Sequence, residues 1–125
     1  MTNNTSSFEF VGSSFAETVL ECLGITTLTW EQILFAQDEA VFELPGSRSL
    51  LVEQENGFLD ITIFPSDLEG EERFTHPYSW GFSLTVLGRE VYKIDVWENT
   101  DDDRTSRLRL LCEALRFSGG RIVPR

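Results

Sequence analysis

Few side chains in this 125-residue chain have the chemistry of a catalytic group. His76 is the only histidine, and it stands before Pro77 in an acidic stretch, the setting of a solvated loop residue. The two thiols are Cys22 and Cys112. Each falls on or beside the apolar stripe of a predicted helix, where cysteine serves as a small hydrophobe. A Cys-His nucleophile pair needs one of them beside His76, and no spacing in the chain requires that. Two cysteines are not a disulfide framework, and no pair has metal-ligand spacing. Asp101-Asp102-Asp103 is dense in acid but lacks the alternating oxygens, the glycine and the distant glutamate of a calcium loop. Arg104-Thr105-Ser106 follows, so the run reads as the acidic start of a helix. Asp67, Glu69, Glu71 and Glu72 read as a solvated acidic loop, with weak cation binding as the alternative. Gly119-Gly120 follows a helix instead of opening one, so it is no phosphate loop. The expectation is a protein that is not an enzyme, with no catalytic residue, no cofactor and no metal site.

Acids set among aromatics are the sharper signal. Asn56-Gly57 between two β-rich runs is a strong hairpin signal. A two-residue loop there pairs Glu55 with Phe58, Glu53 with Asp60 and Leu51 with Thr62. One face then carries Leu50, Val52, Leu59, Ile61 and Ile63, and the other carries Leu51, Glu53, Glu55, Phe58, Asp60 and Thr62. Glu53 facing Asp60 is a like-charge pair, unfavourable by a few tenths of a kcal/mol or more. Such a pair is tolerated in water or where a cation docks. A second hairpin turns around Gly88-Arg89. A three-residue loop there puts Trp80, Phe82, Leu84, Val86, Tyr92, Ile94 and Val96 on one buried face, so an odd-length loop is expected. Ser83, Thr85, Lys93, Asp95 and Trp97 then face outward. Glu53, Glu55, Phe58, Asp60, Asp95 and Trp97 are the candidate partner-binding residues, with the aromatics as anchors for a basic surface.

The elements that position them can be read from periodicity. Residues 8–11 form a short strand, and residues 1–7 a polar, flexible N-terminal segment. Ser14 and Glu17 have capping-box spacing, and Ala16, Val19, Leu20 and Leu23 recur at helical spacing up to Gly24. Thr29 and Gln32 offer a second capping box for a helix ending near Gln37. Strands follow at 40–44, 49–55, 58–64, 78–87 and 91–98, with 65–77 a helix-poor acidic loop. Leu108, Leu111, Cys112 and Leu115 give the last helix its stripe, and residues 121–125 form a tail suited to an edge strand. The whole reads as one α+β domain, residues 1–125. An antiparallel β-sheet of about five to six strands packs against N-terminal helices and a C-terminal helix.

Charge narrows the partners. The chain carries 10 bases against 21 acids, a net charge of −11. Residues 1–103 hold 20 of those acids with only Arg48, Arg73, Arg89 and Lys93 as bases, whereas six arginines and Glu113 lie in residues 104–125. Such an acidic balance disfavours direct nucleic-acid binding and anionic membranes and favours a basic protein partner. The arginine helix pairs with the acidic body of the same chain or, alternatively, contacts a second copy of the chain in a homodimer or an acidic ligand. No apolar run approaches the ~20 residues of a membrane span. No basic segment leads into an apolar one at the N-terminus, so a reduced, cytoplasmic setting is expected. Small acidic α+β chains of this kind look like immunity proteins of bacterial toxin systems and phage-encoded inhibitors, a resemblance of size and charge. It implies a non-catalytic inhibitor that occludes a toxin, a nuclease or another nucleic-acid enzyme. The alternative is a dimeric secretion-chaperone-like or adaptor protein. Such chaperones place a helix between the third and fourth main strands, where this chain has residues 65–77.

Overall fold

A computed structural model describes residues 4–26, 28–36, 39–55, 58–99 and 107–124. Seven strands form one antiparallel sheet: β1 (Asn4–Val11), β2 (Glu39–Leu44), β3 (Arg48–Glu55), β4 (Phe58–Pro65), β5 (Trp80–Gly88), β6 (Val91–Glu98) and β7 (Arg121–Pro124). Their order is β2-β3-β4-β5-β6-β1-β7. The helices are α1 (Phe15–Leu23), α2 (Trp30–Leu34), α3 (Glu72–Thr75) and α4 (Arg107–Phe117). The α+β class is as expected, but the sheet has seven strands where five or six were expected. The C-terminal tail supplies the additional edge strand by pairing with β1, Phe10 opposite Ile122. The first strand also takes in Asn4–Ser7, within the segment expected to be flexible. Those residues pair with β6 through their backbones, Ser6 opposite Val96 and Ser7 opposite Asp95, and so leave no apolar pattern to read.

Strand alternation separates two faces. Leu50, Val52, Leu59, Ile61, Ile63, Trp80, Phe82, Leu84, Ile94 and Val96 share one face with Phe8 and Phe10. The helices lay Phe15, Val19, Leu23, Ile33, Leu111 and Leu115 on it, and all of these residues belong to one buried cluster. Phe15 is the junction: its ring stacks on Tyr92 at 4.5 Å, meets Phe10 at 5.7 Å and takes Trp30 edge-on at 5.8 Å. Burying one such ring contributes about 2 kcal/mol.

The β3–β4 register is the one the sequence predicts, with Glu53 opposite Asp60 and Glu55 opposite Phe58. The turn residues Asn56 and Gly57 lie outside the described residues. The second hairpin also puts its seven apolar residues on the buried face, by a different route from the expected three-residue loop. Gly88 pairs with Val91 across a two-residue turn, and an irregularity between Val86 and Gly88 restores the register so that Val86 faces Tyr92. Glu90 in that turn has a φ of 60°. The extra residue moves into a bulge because the buried face has to stay continuous.

Thr29 caps α2 as expected, with both hydrogen bonds of the capping box to Gln32 in place. That helix stops at Leu34, short of the predicted end near Gln37. Ser14 stands at the start of α1 without a side-chain cap. Its hydroxyl donates instead to the Ser118 carbonyl at 3.2 Å, tying the start of α1 to the end of α4. Gly24 ends α1 in the left-handed region at φ 71°. The expected acidic cap of the last helix, Asp101-Asp102-Asp103, lies outside the described residues, as does the side chain of Leu108.

Candidate functional site

Among the described residues the opposite face of the sheet has no helix layer of that kind, and only the segment between β4 and β5 folds over part of it. That segment was expected to be a helix-poor acidic loop, and Glu72–Thr75 makes the single turn α3 in it. Asn99, buried at the end of β6, donates from Nδ2 to the carbonyls of Phe74 and His76, each at 2.9 Å. The Arg73 guanidinium lies 5.7 Å from the centre of the Phe64 ring and 5.5 Å from that of Phe74. A Lys or Arg head over a ring at such distances is attracted by the ring quadrupole. Phe64, Thr62 and Leu51 are buried on this face, while the rows beyond them are less covered.

Three consecutive strand pairs, β3–β4, β4–β5 and β5–β6, bring the two predicted hairpins into one surface. The β4–β5 pairing sets Asp60 opposite Ser83, and β5–β6 sets Ser83 opposite Asp95. The resulting row runs Glu39, Glu53, Asp60, Ser83, Asp95 and Ser7 across six strands. At ~4.8 Å per strand it spans roughly 24 Å. Ser83 donates its hydroxyl to Asp60 Oδ1, and Ser7 donates to Asp95 Oδ1. These bonds orient both carboxylates without neutralising them. Lys93 Nζ approaches Asp95 Oδ2 at 3.8 Å, with the two side chains 37% and 42% exposed, so that pair is a weak surface one.

One row over, Thr62, Gly81 and Trp97 stand side by side. A Cβ built at Gly81 would lie 3.0 Å from Trp97 Nε1 and 3.1 Å from Cε2, so the indole rests on the glycine backbone. Glycine in a strand interior marks such a close approach. Trp97, Phe74, Thr62, Glu53 and Asp60 surround an open depression of about 370 Å³. Two ring systems and two carboxylates around one concavity suit a lysine or arginine side chain.

Of the six candidate residues, Glu53, Asp60 and Trp97 line this depression, and Asp95 follows in the same row. Phe58 is 40% exposed at the end of β4, opposite Thr85, one register step outside the row. Glu55 pairs with Phe58 through its backbone, and its side chain lies outside the described set. Sequence reasoning missed Phe74, because nothing marks the single turn that places it, and the hydroxyls of Ser7 and Ser83, whose roles depend on pairing between distant strands. Gly81 in the middle of a β-rich run was the available signal for Trp97 lying flat.

The other titratable groups sit elsewhere. His76 ends α3, and its Nδ1 accepts a hydrogen bond from the Tyr78 N–H at 3.1 Å. Cys22 and Cys112 are half-buried on α1 and α4. Burial pushes both thiols above their usual range, against smaller lowering by Arg107 at Cys22 and by Arg116 at Cys112. Among the described residues no group of three or more His, Cys, Asp and Glu is placed to hold a metal ion, and no helix is long and apolar enough to cross a membrane. No family model, curated protein or solved structure matches the chain.

Proposed function

We propose that the chain is a non-catalytic binding protein whose open sheet face docks a basic protein partner and occludes it, in the manner of an inhibitor or immunity protein. The observation that carries this reading is the acidic row of Glu53, Asp60 and Asp95 running beside Trp97 on a sheet face that no helix layer covers among the described residues. Glu53 and Asp60 stand directly opposite each other on β3 and β4, and carboxylates ~5 Å apart repel. A partner presenting lysine or arginine turns that repulsion into attraction and speeds encounter. Trp97 supplies the flat apolar anchor that such interfaces centre on, and the adjoining depression takes one cationic side chain. A toxin, a nuclease or another nucleic-acid enzyme has the basic surface this requires, and a cytoplasmic setting fits the free thiols. The dimeric chaperone reading has less support: between β4 and β5 there is only the four-residue α3.

The test is differential capture from the native host. The wild-type chain and the E53Q/D60N/D95N variant, both folded, are used as baits in parallel. A basic protein retained by the wild type and lost from the variant is the expected result. Equal retention by both baits, or selective retention of an acidic protein, contradicts the proposal.

A further inference from the structure

A second concavity lies on the helix-bearing side, at the end of the sheet where β3, β4, β5 and β6 meet the start of α4. It is a cleft of about 320 Å³ whose walls include Phe64 and Trp80. Among the described residues its charged lining is Arg48, Arg107 and Glu98, two cations to one acid. That balance is unusual in this chain, where Arg48 is one of only four bases in the first 103 residues. Glu98 is 3% exposed, and its Oε2 accepts the Arg107 backbone N–H at 2.9 Å, so this carboxylate serves the first turn of α4.

Arg48 is held in place by two bonds. Its Nε donates to the Pro45 carbonyl at 3.1 Å and its Nη2 to the Leu23 carbonyl at 3.4 Å. A guanidinium has five N–H donors, so most of the fork remains for a ligand. Ser79 also lines the cleft, is 1% exposed, and its Oγ has no hydrogen-bond partner among the described residues. Buried hydroxyls are rarely left so.

We propose that this cleft binds a small aromatic anion, its acidic group between Arg48 and Arg107 and its ring against Trp80. The volume suits a ligand of about ten non-hydrogen atoms, for which millimolar to micromolar affinity is the normal range. The site lies on the far side of the sheet from the acidic row and does not rest on the docking proposal.

Three probes of matched size test it by titration of the ¹⁵N-labelled chain: benzoate, phenyl phosphate and benzamidine. The expected result is saturable shifts at the amides of Arg48, Ser79, Trp80 and Arg107 with the anions and none there with the cation. A preference between benzoate and phenyl phosphate tells a carboxylate ligand from a phosphate one. Arg107→Gln alters an exposed side chain and leaves the core intact, and is expected to weaken binding about tenfold. Benzamidine shifting the same amides equally, neither anion saturating, or the variant binding as tightly as wild type would each overturn the proposal.

Discussion

Trp97 and Gly81 shape the open face at the level of single residues. A Cβ at position 81 would collide with the Ile61 carbonyl oxygen as well as press on the indole. The ring has some freedom to shift, but the backbone carbonyl belongs to the β4–β5 ladder and does not. Gly81→Ala should therefore lower stability by about 2 kcal/mol, seen as a fall in the urea midpoint at unchanged slope. The thiols give a second test. Burial holds Cys22 and Cys112 protonated in the folded chain beyond the ordinary value of 9.0. The unfolded chain loses those protons first, so their contribution is complete below pH 9.0 and is lost as pH rises through the higher folded values. A C22A/C112A variant should show a shallower decline of stability on the alkaline side, measured by denaturation at a series of pH values. An identical decline in both proteins would show that other groups govern it.

Secondary-structure elements differ in how their ends are secured. The α2 capping box is built as the Thr-x-x-Gln spacing predicts, so Thr29→Ala should cost about 1 kcal/mol and Thr29→Ser much less. The equivalent spacing at α1 misleads, because the Ser14 hydroxyl finds a carbonyl at the far end of the chain, and tertiary contact overrides the local motif. The α3 turn depends on one buried side chain. Asn99→Ala removes both bonds to the Phe74 and His76 carbonyls and should speed amide exchange across Glu72–Thr75 while the β6 amides stay protected. Uniform acceleration throughout the sheet would instead mean that Asn99 supports the whole fold. The strand registers were largely legible, because one apolar face demands a single phase at Glu53–Asp60 and again through Trp80, Phe82 and Leu84. What sequence could not supply was the neighbour of each hairpin. The β4–β5 and β6–β1 pairings join residues far apart in the chain, and the Asp60–Ser83 and Ser7–Asp95 contacts exist only through them.

On the scale of the whole molecule, the layers sort the charge. Leu111 and Leu115 of α4 belong to the core on the helix side of the sheet, so the sheet stands between this arginine-bearing helix and the acidic row. Arg109 pairs at 3.2 Å with Glu113 on its own helix, the side chains 64% and 46% exposed, a contact worth a few tenths of a kcal/mol. Half of the candidate site was thus visible as residue types, namely acids next to Phe58 and Trp97, and half depended on packing, namely Phe74, Gly81 and the serine hydroxyls. The most direct measurement is the association rate between this chain and the basic partner its wild-type form captures, followed across a salt series. The account predicts a rate that falls steeply with added salt and a roughly tenfold slower, less salt-dependent rate at low salt for the E53Q/D60N/D95N variant. Equal rates for the two proteins at low salt would contradict it.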